Sequence, residues 1–354
     1  MKKVLVLIIS ILFMTSGCGK VTKESVAKDF TGDVNGSKSY KLKGSMEIVN
    51  NEETFVYSLE TYYLKDDYYK VILVNQTNNH EQIILRNPDG VYVVTPSLNK
   101  SFKFQSEWPF NSSQSYILAS LVNDVKNDKN YSMEETENNY VLKSSVNYPN
   151  NSELVSQKIF FDKKMNLESV EVYNKDNIVK IKVSFTSVDL KANLDKDDFV
   201  LEDLIDEDCC AQNNCSDNKC EENDEQIQNE ESNSESTSSL ENIIYPLYIP
   251  SNTHLQSSEK IDTDSGERAI LTFSGEKDFI LIEETVVNNE EFEVIPVYGD
   301  PMLVTDSIAA ISGNSISWTT NEMEYYIASN DLSQEEMVTI ASSLNSTSYV
   351  MESK

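Results

Sequence analysis

From Tyr40 to about Leu201 apolar and polar residues alternate with a period of two, and this rhythm constrains the chain more than any other feature. Phe55, Tyr57, Leu59, Thr61 and Tyr63 alternate with Val56, Ser58, Glu60 and Tyr62. Val179, Ile181, Val183 and Phe185 alternate in the same way with Lys180, Lys182 and Ser184. Successive side chains of a strand point to opposite faces, so these segments read as strands with one face buried. Further strands are expected over 71–74, 82–85, 91–95, 102–104, 140–144, 155–161 and 167–173. Turn chemistry separates them at Asn87-Pro88-Asp89-Gly90, at 96–99 and at 162–166. One stretch breaks the rhythm. Ile117, Leu118, Leu121, Val122 and Val125 fall at helical spacing within 115–125, after a start signal at 111–113. A long meander with one apolar face must hide that face, either by curling over helices or against a second sheet. The inserted helix favours a curled half-barrel with a helical plug.

The first residues read as an address. Lys2 and Lys3 precede an apolar run over 4–14. Eleven residues of helix span about 16 Å, too short for a hydrocarbon core of roughly 30 Å. A charged start, a short apolar run and the small residues Thr15-Ser16-Gly17 describe a signal peptide over 1–17. Cys18 follows directly, an order that resembles the lipobox of bacterial lipoproteins; the resemblance implies lipidation at Cys18, the alternative being an ordinary secreted chain in which that Cys is incidental. Acyl chains on Cys18 would hold the protein on the extracytoplasmic face of the cell membrane. Residues 18–37 then read as a lipidated, partly flexible tether with a short helix over 24–30.

Residues 203–241 are a different polymer. They hold 13 Asp and Glu against the single Lys219, a local net charge of −12. Such a segment has too little apolar surface to fold unaided and is expected to be a disordered spacer that keeps two folded modules apart. It carries Cys209, Cys210, Cys215 and Cys220 within twelve residues. Outside the cytoplasm disulfides are the expected state. A tetrathiolate metal site and no fixed pairing are the alternatives, and the spacing departs from that of zinc sites.

Residues 242–354 read as a small α+β domain. It opens with Tyr245-Pro246-Leu247-Tyr248-Ile249-Pro250, and strands are expected over 269–273, 279–283, 293–297, 307–311, 315–319 and 324–328. A capped helix follows Asp331, with Met337, Ile340, Ala341 and Leu344 as its apolar stripe.

Composition excludes several functions. The net charge is −30, from 59 Asp and Glu against 29 Lys and Arg, so a phosphate backbone would be repelled and no nucleic acid is expected as partner. No phosphate-cradling loop, nucleophile elbow or paired-histidine metal motif is present. His80 reads as an exposed turn residue and His254 as a loop residue. The expectation is therefore no enzyme, no cofactor and no metal. Trp108 and Phe110, in a Trp-Pro-Phe loop before the inserted helix, are candidates for a mobile lid, with core packing as the alternative.

The run 85–96 (LRNPDGVYVVTP), the Trp108-Pro109 loop with its helix, and the run 160–170 (FFDKKMNLESV) resemble the LolA-like fold across 38–202. That resemblance implies an eleven-stranded half-barrel with helices in its mouth and a cavity that accepts acyl chains. Trp318, Tyr325-Tyr326-Ile327 and the helix after Leu332-Ser333 resemble a C-terminal domain of Firmicutes lipoproteins and anti-sigma-factor-like proteins. The whole arrangement resembles the YdcC-type sporulation lipoproteins and, more distantly, the RseB/MucB sensors, and the Asn- and Lys-rich composition fits a low-GC Gram-positive source. Two functions follow from the resemblance. One is binding of an acyl chain or lipoprotein at the outer face of the membrane. The other is a regulatory contact with an envelope protein, as in GerS-type germination lipoproteins that partner a cell-wall amidase.

Overall fold

A computed structural model describes residues 21–50, 53–204, 240, 243–263, 266–286, 292–304, 306–320 and 323–344. The signal peptide, Cys18 and all four cysteines of the acidic segment lie outside the described residues.

The chain is a mostly antiparallel α+β protein. Its first sheet contains β1 (Ser39–Asn50), β2 (Glu53–Leu64), β3 (Tyr68–Asn75), β4 (Glu81–Asn87), β5 (Gly90–Thr95) and β6 (Lys100–Phe104). It continues through β7 (Ser132–Glu135), β8 (Asn139–Ser145), β9 (Leu154–Asp162), β10 (Leu167–Asn174) and β11 (Val179–Asp189). The spatial order is β6-β5-β4-β3-β2-β1-β11-β10-β9-β8-β7, so the sheet is two meanders joined where β1 pairs with β11. That seam carries a bulge between Lys43 and Gly44. A Cβ at Gly44 would stand 2.1 Å from the carbonyl oxygen of Ser184, so only glycine fits there.

One face of this sheet wraps two helices. The first, α1 (Lys23–Gly36), starts on a capping box in which Thr22 and Ser25 bond each other's backbone N–H groups. Val26, Ala27, Phe30 and Val34 are buried at helical spacing, and Phe30 meets Phe161 edge-on at 5.1 Å. The residues read as the end of a tether are thus a packed helix that runs to Gly36. The second, α2 (Leu118–Asn127), buries Leu118, Leu121, Val122 and Val125 into the same core. Its start lies later than the sequence signal suggests, because Ser113 donates its hydroxyl to Asp124 of the helix instead of capping it. The opposite face of β3–β5 is covered by Phe199 and Leu201, which pack on Tyr68, Leu85, Tyr92 and Val94. This is why β4 and β5 lose their alternation: they are buried on both sides.

A second, seven-stranded sheet follows. Its strands are β12 (Thr253–Thr263), β13 (Gly266–Gly275), β14 (Phe279–Thr285), β16 (Asp300–Val304), β17 (Ser307–Ile311), β18 (Ser315–Thr319) and β19 (Met323–Ala328). They lie in the order β12-β13-β14-β19-β18-β17-β16. Helix α3 (Gln334–Ala341), with a Ser333–Glu336 capping box, buries Met337, Ile340 and Ala341 against one face.

The strand expected over 293–297 forms, but in the other sheet. This strand, β15 (Glu293–Val297), pairs in parallel with β6, from Glu293 opposite Lys100 to Val297 opposite Phe104, and brings the first sheet to twelve strands. Ile308 belongs to the core of the first sheet, and Val297, Leu303 and Ala310 pack against it. The expectation that the acidic segment holds two modules apart is corrected by this exchange. The modules share a sheet and a core.

Candidate functional site

Helices and loops fill the concave face of the first sheet. Tyr40, Tyr57, Tyr69, Trp108, Ile117 and Leu121 each retain no more than 2% exposure there. Burial of side chains of this size stabilises the fold by about 1.5–3 kcal/mol each. Of the two proposed lid residues, Trp108 is a core residue at 1% exposure, while Phe110 is half exposed at 51%. Arg86 explains their different fates. Its guanidinium donates to the Trp108 carbonyl at 2.7 Å and lies 5.0 Å from the Phe110 ring, so it pins the loop with Trp108 inward and Phe110 outward.

A groove of about 210 Å³ opens instead at the junction of the two sheets. Phe102 and Phe104 of β6 form one wall, and Ile282, Ile308 and Ala310 the other. Behind that wall, on the opposite face of their strands, Trp318 and Tyr325 stack at 4.9 Å with nearly parallel rings in the core that α3 covers. Tyr326 lines the groove too and is exposed at 39%. Both carboxylates of the groove are neutralised. Glu284 pairs with Arg268 at 2.7 Å, and Glu324 pairs with the nearly buried Lys100. With Ser317 and Thr319 also in its lining, the groove is mixed in chemistry, and it is the size of one or two large side chains or a short stretch of acyl chain.

Polar contacts lock the junction around it. Gln82, buried in β4, accepts the backbone N–H of Ile308 and donates to Thr95. Ser106 donates to Asp300 at 2.6 Å, and Asn78 donates to Asp306 at 3.2 Å. His80, read from sequence as exposed, is buried at 3% because these contacts draw the second unit over the β3–β4 turn. His254 is exposed and opens β12.

Two buried carboxyls lie elsewhere. Burial pushes Asp124 up to about 6, against hydrogen bonds from Ser113 and Gln157 that pull it down. Burial likewise pushes Glu283 up to about 7. One Glu283 oxygen accepts the Ile244 N–H at 2.9 Å and the other is unpaired. Neither carboxyl sits beside a nucleophile positioned for catalysis. Among the described residues no group of three or more His, Cys, Asp and Glu converges as a metal cage, and no helix is long and apolar enough to cross a membrane.

No local signal marks the groove in the sequence. It exists because β15 crosses to the first sheet, a long-range pairing that no residue pattern encodes.

The sequence matches the model of the family described as "Sporulation protein YdcC-like" over residues 1–199. It is also 36% identical to the sporulation protein YdcC of Bacillus subtilis, an alignment that covers 94% of this chain and 93% of the relative. The chain belongs to the YdcC-like sporulation protein family. Solved structures similar to this YdcC-like chain include the MucA/MucB complex of Pseudomonas aeruginosa, at 11% identity and a TM-score of 0.30, covering 90% of this chain and 97% of that one. Another is the CwlD amidase of Clostridioides difficile in complex with the GerS lipoprotein, at 19% identity and a TM-score of 0.22, covering 48% and 96%. A third is a LolA superfamily protein of Nitrosomonas europaea, at 9% identity and a TM-score of 0.31, covering 51% and 99%.

Proposed function

We propose that this YdcC-like chain is a non-catalytic lipoprotein, anchored through Cys18 on the extracytoplasmic face of the membrane, that serves the sporulating cell envelope by binding a protein partner. The packing of the concave face carries this reading. Phe30, Trp108, Ile117 and Leu121 occupy the space an acyl cargo would need, and Ile308 of the second unit joins the same core. An interior packed at this density admits no further chain without unfolding a helix. The junction groove suits an anchoring side chain of such a partner, since interface energy concentrates where an aromatic or aliphatic residue fills a preformed apolar slot.

A second reading is favoured by that same groove. A short acyl segment or the acyl end of a lipoprotein would also fit between Phe102 and Ile282.

Affinity capture of the tagged full chain from detergent-solubilised membranes of sporulating cells separates the two. The partner reading expects a protein retained in constant ratio and, by mass spectrometry, acyl chains only in covalent linkage at the mature N-terminus. A stoichiometric, non-covalently bound lipid with no retained protein overturns it in favour of the second.

A further inference from the structure

Tyr245, Leu247 and Tyr248 are exposed at 49%, 82% and 40%, three large side chains within four residues. Single exposed apolar residues are ordinary on a protein surface, but a run of them that the fold holds rigid is not. This strap is held. Pro246 and Pro250 are buried beside the exposed side chains. The N–H groups of Leu247 and Tyr248 donate to the carbonyl and hydroxyl of Ser343, at 3.3 and 3.1 Å, and that of Ile244 to Glu283. The segment is therefore an ordered display of two phenols and a leucine.

Strand registers fix which end of the molecule it occupies. Asn50, the last residue of β1, donates to the carbonyl of Ser342, next to the residue that holds the strap. Helix α1 begins at this same end. Lys23 donates to the Tyr131 carbonyl and stands over that ring at 4.9 Å. Tyr131 precedes Ser132, which opens a row across the sheet through Lys143, Lys158, Glu171 and Lys182 to Glu47, three residues before Asn50. Val21 follows Cys18 by three residue steps. Fully extended they reach about 10 Å. Ile178, exposed at 54% in the β10–β11 turn, adds another apolar side chain at this end, because Val179 pairs with Tyr173 and Ile181 with Ile48.

We propose that the Tyr245–Tyr248 strap is a second membrane contact, which lies in the headgroup region of the bilayer that holds Cys18 and sets the protein's orientation on it. Tyr side chains suit this layer, with an apolar ring and a wet hydroxyl, and Leu247 reaches the acyl boundary. The chain's charge of −30 gives no attraction to anionic headgroups, so the contact is apolar and short-range, effective only once the anchor has brought it to the surface. The opposite end then faces away. Tyr298 lies there, one residue beyond Val297, in the row that runs through Phe104, Val91, Arg86, Tyr69 and Tyr63 to Tyr40 at the start of β1.

This inference rests on the Cys18 anchor, and one experiment reads the two separately. The lipidated full chain carrying Leu247→Trp is reconstituted into phosphatidylcholine vesicles, with and without brominated acyl chains, and checked by flotation. Trp108 and Trp318, at 1% and 5% exposure, supply a constant background. The added emission is expected to fall about twofold in brominated vesicles, as for an interfacial tryptophan. Tyr298→Trp, exposed at 76% at the far end, is expected to be unquenched. Protein that floats with Leu247→Trp unquenched, or with both variants quenched equally, overturns the contact and leaves the anchor standing. Protein that does not float overturns the anchor and the contact with it. A Leu247→Glu/Tyr248→Ser variant that still floats is expected to lose hydrogen-exchange protection of 243–250 on vesicles, and unchanged protection again overturns the contact.

Discussion

Gln82, in the fourth strand of the first sheet, accepts the backbone N–H of Ile308 in the second unit, so a buried side-chain amide welds two sheets that are 226 residues apart in sequence. Its own amide group is held by Thr95 at 3.4 Å. Replacing it with Leu keeps the volume but leaves the Ile308 N–H buried without an acceptor. Such a group costs about 1–3 kcal/mol. Denaturant unfolding of Gln82→Leu is expected to show that loss, whereas Gln82→Glu, which keeps an acceptor oxygen, is expected to lose less at acid pH than at neutral pH. Equal stability of Gln82→Leu and the parent would show that the junction does not depend on this bond.

Lys100 and Glu324 make the second cross-junction contact, and their exposures are unequal. The Lys100 side chain is 10% exposed and that of Glu324 is 35%. Removing Glu324 strands a nearly buried ammonium, whereas removing Lys100 leaves a carboxylate that water reaches. Glu324→Gln is therefore expected to destabilise more than Lys100→Met, and the double variant to recover part of the loss. For a fully buried pair the one-sided loss is about 3–5 kcal/mol, and here partial exposure reduces it. A double-mutant cycle by thermal unfolding measures the coupling, which is expected to be about 1 kcal/mol or more.

Much of the first sheet is legible in the sequence because one-sided burial writes itself as alternation. The segments around Tyr57, Val71, Val93, Val141, Ile159, Val170 and Val183 all become strands. Other elements escape that logic, and three of them do so for separate reasons. β12 is exposed on both faces, so it has no alternation to read. α1 is expected only as a short helix over 24–30 in a tether, because Val26, Ala27, Phe30 and Val34 form too thin a stripe to show that it packs and runs on to Gly36. β15 is recognisable as a strand, yet its partner is set by the fold as a whole, and a strand pattern says nothing about which edge it joins. The candidate groove fails for the same reason, since Phe102 of β6 and Ile282 of β14 line one groove only once the two sheets have come together. Trp108 shows the limit for single residues: its Pro neighbour suggests a loop, and nothing local reveals that Arg86 turns the indole inward.

The same loop gives a sharp contrast between adjacent aromatics. Trp108 packs edge-on to Tyr69 at 6.2 Å in the core, and Phe110 also meets Tyr69 edge-on, at 6.1 Å, while half exposed. Trp108→Ala opens a cavity and is expected to cost about 3–5 kcal/mol. Phe110→Ala is expected to cost about 1 kcal/mol or less, because solvent replaces the ring and only one aromatic contact and one cation–π contact are lost. If instead Phe110→Ala weakens partner capture without changing the unfolding midpoint, Phe110 belongs to the binding surface. Parallel unfolding and capture measurements on the two variants separate these roles.

Glu283 makes the stability of the second unit depend on pH. The carboxyl is buried in β14 with one oxygen bonded to the Ile244 N–H and the other unpaired, so burial raises its pKa from 4.5 to about 7. The folded chain therefore holds more protons than the unfolded chain between these two values. Stability from this group is fully present below the unfolded pKa of 4.5 and is lost as pH rises toward the folded value near 7. A shift of this size corresponds to about 3 kcal/mol at most between the two limits. Glu283→Gln keeps an acceptor for Ile244 and carries no charge, so its profile is expected to be flat where the parent declines, with the variant the more stable at pH 8. Denaturant midpoints at pH 5 and pH 8 test this, and a parent and variant that decline in parallel would assign the pH dependence to other groups, Asp124 first among them. Glu283 holds the start of the strap through the Ile244 N–H, so the same titration is expected to raise hydrogen exchange at Ile244 and Leu247 in the parent as pH rises, and to leave it unchanged in Glu283→Gln after correction for intrinsic exchange.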